Sequence, residues 1–132
     1  MFTANREDYL RALYVLEEKN LELKSVEIAN YLKVSKPSVS EMVKELQKDG
    51  LLTHKKYSKL KFTSKGYKIA QNLTSKHRLI ELFLKNILKI KSGSIHQEAH
   101  RLEHAFSDES ISRIRRILGN PKKDPHGKPI PQ

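Results

Sequence analysis

The stretch from Ser25 to Thr63 constrains the fold most, because two helical patterns separated by only two residues can share a core in few ways. Ser25 to Lys33 is a short amphipathic pattern opening on a serine suited to an N-cap, Val34-Ser35 interrupts it, and Lys36 to Lys48 resumes the period. Pro37 sits where a first-turn proline is tolerated, and Gly50 stands where a helix stops. Ala29 is small enough for a close helix crossing, and Ile28, Leu32, Val39, Val43 and Leu46 supply the shared core. That is a helix-turn-helix pattern. After Gly50, Leu51 to Thr63 alternates like a strand pair around a turn rich in lysine: Lys55, Lys56, Lys59 and Lys61. A helix-turn-helix followed by a basic hairpin predicts a winged helix; the plainer alternative is a mixed α+β domain with solvated lysines.

The formal net charge of +11, from 26 basic and 15 acidic residues, favours a polyanion partner, nucleic acid being the commonest. In a winged helix the second helix enters the major groove with its N-terminal residues near base edges. Those residues are Ser35, Lys36, Pro37, Ser38 and Ser40, with Glu41 and Lys44 further along and Lys55, Lys56 and Lys59 on the wing. The lysines suit phosphate or guanine and Ser38 a phosphate or a base edge. Pro37 offers only apolar contact. Glu41 either accepts from cytosine or pairs with Lys44 or Lys48.

A preceding helix is expected over about 5–19, with Asn5 as cap and Asp8 in the first turn, where the helix dipole favours an acid. A long helix is expected over about 64–90. Its second part, with Leu79, Ile80, Leu82, Phe83, Ile87 and Leu88, is apolar on so much of its circumference that more than one side must be buried, which a dimer interface would explain. His77 and Glu81 lie on it at i, i+4 spacing. Lys91 to Ser94 break the pattern, and a helix from there to about Ala105 precedes another over Asp108 to Leu118. The tail from Asn120 to Gln132, with four prolines and no packing period, should be extended.

On the helix before Ala105, His96, His100, Glu103 and His104 fall within one arc of roughly 100° beside an apolar stripe of Ile95, Ala99, Leu102 and Phe106. Imidazole and carboxylate at this spacing can converge on one divalent cation. The bland reading is a solvated polar face, weakened by the presence of three of the chain's six histidines on the arc. Glu98 lies on the opposite side and suits a salt bridge. With no cysteine, any metal must be held by imidazole, carboxylate or backbone oxygen. No apolar run reaches a membrane span's length and no signal pattern opens the chain, so a cytoplasmic protein is expected. Hydrophobic content of 37% in 132 residues is low for a large monomeric core, and a homodimer would relieve the shortage.

Three runs together, Ser75-Lys76-His77-Arg78-Leu79-Ile80-Glu81, His96 to Asp108, and Pro125-His126-Gly127-Lys128-Pro129-Ile130-Pro131, resemble the diphtheria toxin repressor family of iron- and manganese-dependent transcription regulators. The resemblance covers nearly the whole chain in order, and Glu98-Ala99-His100-Arg101-Leu102-Glu103-His104 is its most specific part. It implies a mostly α fold with a small β-wing: a winged helix-turn-helix domain over 1–73 and a helical metal-binding and dimerisation domain over 74–132. It further implies a primary metal site of Asp8, His100, Glu103 and His104 and an ancillary site of His77, Glu81 and His96. Iron-type members commonly carry Cys at the position of His100 and Met at that of Asp8. Manganese-type members carry acids at both, and a glutamate where this chain has Arg11. The expected ion is Fe2+, with Mn2+ next and Co2+, Ni2+ or Zn2+ binding in vitro. The resemblance also implies a short form without the C-terminal Src-homology-3-like domain of many relatives.

The expected function is therefore a metal-activated repressor of metal-homeostasis genes, a homodimer on a palindromic operator in double-stranded DNA, with no membrane, no small-molecule substrate and no enzymatic activity. Its competitors are a winged-helix regulator whose histidines pack or sense pH, a sequence-blind nucleoid binder, and, remotely, a metallohydrolase.

Overall fold

The computed structural model describes residues 4–54 and 59–132, so two of the expected wing contacts, Lys55 and Lys56, lie outside the described residues. The chain runs α1 (Arg6–Glu18), α2 (Ser25–Leu32), α3 (Lys36–Lys48), β1 (Leu52–Thr53), β2 (Lys61–Phe62), α4 (Ser64–Asn86), α5 (Ser92–Glu103) and α6 (Asp108–Ile117). It divides into two units with the boundary inside α4, between Leu73 and Thr74. The fold is mostly α with one small β-wing, as expected.

In the first unit, α1 opens on a reciprocal capping box: the Asn5 side chain accepts from the Asp8 N–H, and the Asp8 carboxylate accepts from the Asn5 N–H, both at 2.9 Å. Ser35 caps α3 by accepting from the Ser38 N–H, and Pro37 occupies the first turn. Gly50, at φ +75°, ends α3 in a Schellman turn: its N–H bonds to the Gln47 carbonyl and the Leu51 N–H to the Leu46 carbonyl. Ser25 does not cap α2 as expected. It is the first helical residue; Lys24 holds the cap position and makes no side-chain cap bond. Between α2 and α3 the chain turns at Lys33 in the left-handed region. Leu13, Ile28, Val39 and Leu46 are fully buried together, with Ala29 and Ala70 at the close approaches. β1 and β2 pair antiparallel, Leu52 opposite Phe62 and Thr53 opposite Lys61.

In the second unit α4 has a different apolar partner on each of two faces. Leu79 and Leu82 pack with Ile114 of α6 and Ile130 of the tail. Ile80 and Leu84 pack with Ile95 and Ala99 of α5. The wide apolar arc of α4 is thus covered largely within the chain, and Ile87 and Leu88 alone of the six residues named above are exposed, at 46% and 53%. They also fall outside the helix. α4 ends at Asn86, where the Leu88 N–H turns back to the Phe83 carbonyl and Lys89 takes φ +58°. Residues 92–94, expected as part of a break, form the first turn of α5 instead.

The tail differs most from expectation: it folds back on itself. The Asp124 carboxylate accepts from the N–H groups of His126 and Lys128, both at 2.8 Å, the Ile130 N–H bonds to the Lys122 carbonyl, and Lys123 bridges Pro129. Ile130 then enters the core, and side chains from α4 and α6 hold the returning limb: Ser75 donates to the Pro131 carbonyl at 2.8 Å, Arg78 to the Pro129 carbonyl at 2.6 Å, and Arg115 to Ser75 at 2.7 Å. Four prolines forbid a helix here, but a turn closed by Asp124 and Gly127 does not need one. Among the described residues no helix is long and apolar enough to cross a membrane.

Candidate metal centre and nucleic-acid interface

Helical spacing puts the second unit's polar groups together. On α4, His77 and Glu81 are both buried, and His96 reaches them from the exposed side of α5. The His77 Nε2 lies 3.4 Å from Glu81, the His96 Nδ1 lies 3.8 Å from the other Glu81 oxygen, and the two rings are 5.0 Å apart. One nitrogen or oxygen from each of the three falls within a common 4.8 Å. The other nitrogen of His77, Nδ1, is 2.8 Å from Glu103. A carboxylate only accepts, so Nδ1 donates to Glu103, and Nε2 is the ring nitrogen that faces Glu81. Glu103 is itself buried, and its second oxygen lies 3.7 Å from the His104 Nε2; the His100 and His104 rings are 5.2 Å apart. Glu103 therefore joins the set expected as ancillary to His100 and His104.

Burial pushes the Glu81 carboxyl up, but the facing His96 imidazole and the charges of His77, His96 and His126 outweigh it, so its pKa lies below the ordinary glutamate value. An ionised carboxylate ringed by imidazoles suits a hard or borderline cation, and the donors are all nitrogen and oxygen, with no cysteine in the chain. These residues fit a divalent metal.

Two further residues meet Glu81 that sequence reading did not nominate. Asp124 and His126, from the tail turn, form with Glu81 a second three-residue group whose ligand atoms lie within 4.8 Å. The signal was present as Asp124-Pro125-His126-Gly127, but it acquires meaning only once the tail folds back. Asp8 is buried on α1, held by the capping box and 3.9 Å from the Arg11 guanidinium. Glu98 pairs with Arg101, as its position outside the histidine arc predicted.

In the first unit, Ser35, Lys36, Pro37, Ser38, Ser40, Glu41 and Lys44 are all exposed, while Val39 and Leu46 bury the opposite side of α3. Ser35 is committed to the cap, and its hydroxyl lies 2.8 Å from that of Ser38. Lys59, the described member of the wing set, is 3.1 Å from Glu22, which also pairs with Lys24 at 2.9 Å. The contacts of Lys24 and then Lys59 hold the Glu22 carboxyl below its usual pKa.

Residues 1–60 match the family model for the iron dependent repressor N-terminal DNA binding domain, and residues 63–132 that for the iron dependent repressor metal binding and dimerisation domain. The iron-dependent repressor IdeR of Mycobacterium leprae is 38% identical over 125 residues, 95% of this chain and 54% of that protein. The solved structure of the manganese regulator SloR has a TM-score of 0.88 at 44% identity, and that of the metal-dependent transcriptional regulator MtsR a TM-score of 0.91 at 40%; each match covers 99% of this chain and 61% of the other. The chain spans about half the length of the curated relatives it matches. With both family domains matched in order, the chain belongs to the iron-dependent repressor family.

Proposed function

We propose that the chain is a metal-activated, DNA-binding transcriptional repressor that acts as a homodimer in the cytoplasm on a palindromic operator controlling metal-homeostasis genes. The observation that carries this reading is the buried pair Glu81 and Glu103 facing His77, His96 and His104 in a unit matched by a metal-binding domain. Asp8, His100, Glu103 and His104 form the proposed primary site, and His77, Glu81 and His96 the ancillary one. Asp124 and His126 are alternative partners for Glu81. Fe2+ is the favoured ion and Mn2+ the next, with Co2+, Ni2+ and Zn2+ competing in vitro.

The ion supplies positive charge that offsets the repulsion between carboxylates. Everything else belongs to the chain: Asp8 offers a ligand from the DNA-binding domain, His100, Glu103 and His104 offer theirs from the dimerisation domain, and sharing one ion restricts how the domains move. Two α3 helices in a dimer would then enter major grooves one turn apart, about 34 Å. Ser38, Ser40, Glu41, Pro37, Lys36 and Lys44 would face bases and phosphates, with the wing lysines on the backbone. The gain in DNA affinity is bounded by the metal's preference for the competent arrangement.

The test is binding to a palindrome selected from random duplexes, titrated with Fe2+ without oxygen and with Mn2+, at one salt concentration. Binding that appears only with metal, and is lost in Asp8→Ala and His104→Ala, is the expected result. Equal binding in the presence of a chelator rejects metal activation.

A further inference from the structure

Glu22 sits in the turn between α1 and α2 with one carboxylate oxygen on Lys24 and the other on Lys59. Lys59 leads into β2, so this contact ties the returning limb of the wing to the start of α2. Glu22, Lys24, Ser25, His54 and Lys59 line a recess of about 320 Å³ that reaches Val43 on α3, next to the exposed Lys44. The surface is basic, and a single acid holds two of its lysines.

An ammonium group bound to a carboxylate oxygen is bound as it would be to a phosphate oxygen, at the same distance and with the same sign of charge. The two lysine side chains are 65% and 71% exposed, and pairs so exposed are weak enough for a phosphate to displace. We infer that Glu22 occupies a backbone-phosphate site formed by Lys24 and Lys59, and that it restrains the duplex affinity of the wing by competing with DNA for both lysines. When a phosphate replaces Glu22, its carboxylate stays nearby and repels the strand, so part of the attraction is cancelled. Because phosphates carry no sequence, the restraint acts on operator and random duplex alike, and sets affinity without setting specificity. This inference rests on the DNA-binding reading above.

The experiment compares the whole chain with E22Q, K59M and the double variant E22Q/K59M, in the presence of Mn2+. It measures affinity for a selected palindrome and a random duplex across a salt series. E22Q is expected to bind both duplexes several-fold more tightly at low salt, by the same factor, with the log–log salt slope steeper by ~1 to 2 as one or two lysines become available. That gain should shrink in E22Q/K59M relative to K59M. Unchanged or weaker binding by E22Q, with an unchanged melting curve, overturns the inference and makes the ion pairs a brace that orders the wing. Failure of the wild-type chain to bind either duplex at any salt rejects the DNA-binding reading itself, and this inference with it.

Discussion

Glu81 and Glu103 are buried acids faced by imidazoles, and at Glu81 those imidazoles outweigh the upward push of burial and hold the carboxyl below its ordinary pKa. Glu81→Gln keeps the shape and removes the charge. With a divalent ion at a hundred times its dissociation constant for the proposed ancillary set, that set alone should add ~2.7 kcal/mol of stability, which for a unit of this size is roughly 10–20 °C in melting temperature. Most of that gain should be absent from Glu81→Gln if the proposed ancillary set binds, as scanning calorimetry with and without chelator will show. Gly66 makes a different demand: a Cβ there would lie 1.9 Å from the Leu51 carbonyl oxygen, a backbone atom that already accepts from the Thr63 N–H. Gly66→Ala should cost about 3 kcal/mol in urea unfolding, and a cost near zero would mean that α4 shifts freely against the Leu51 backbone. His77 and Glu81 were legible as a pair because i, i+4 spacing on one helix brings their side chains to one level, whereas the grouping of that pair with His96 of α5 came only from the family resemblance. Asp124 and His126 were not legible, since their approach to Glu81 depends on a turn more than forty positions away.

Elements announced by local chemistry were readable. Asn5 and Asp8 specify the start of α1 from four residues, and Asn5→Ala should cost ~1 kcal/mol by removing the acceptor of the Asp8 N–H, seen as a lower melting temperature. Pro37 and Gly50 delimit α3 in the same direct way. Boundaries without such punctuation were missed: α2 begins at Ser25 with no side-chain cap, and α4 stops at Asn86 although the apolar pattern continues through Ile90. The tail was misread because periodicity is silent about turns stapled by distant side chains. Asp124→Ala removes the oxygen that accepts from both N–H groups of the turn and the acid 3.9 Å from the buried Arg78 guanidinium, and should destabilise the second unit by about 3 kcal/mol. Urea unfolding gives the loss, and faster proteolysis within 121–132 locates it.

On the scale of the whole molecule, composition pointed to a polyanion partner, in keeping with the match to a DNA binding domain, but gave a misleading reason for a dimer. The low hydrophobic content and the broad apolar arc of α4 both pointed to surface buried between chains, whereas α5, α6 and the tail cover that arc within one chain. The net charge of +11 predicts a steep loss of duplex affinity with salt whatever sequence is read, checkable by anisotropy on random DNA. The folded tail also matters to anyone building on the molecule. Because Ser75 and Arg115 grip the Pro131 carbonyl, a fluorophore or domain joined to the tail beside Pro131 starts from a fixed anchor on α4 and α6. On a ten-residue Gly/Ser tether it would roam a sphere of roughly 17 Å, giving millimolar effective concentration at that surface, so a reporter placed there would read the second unit continuously.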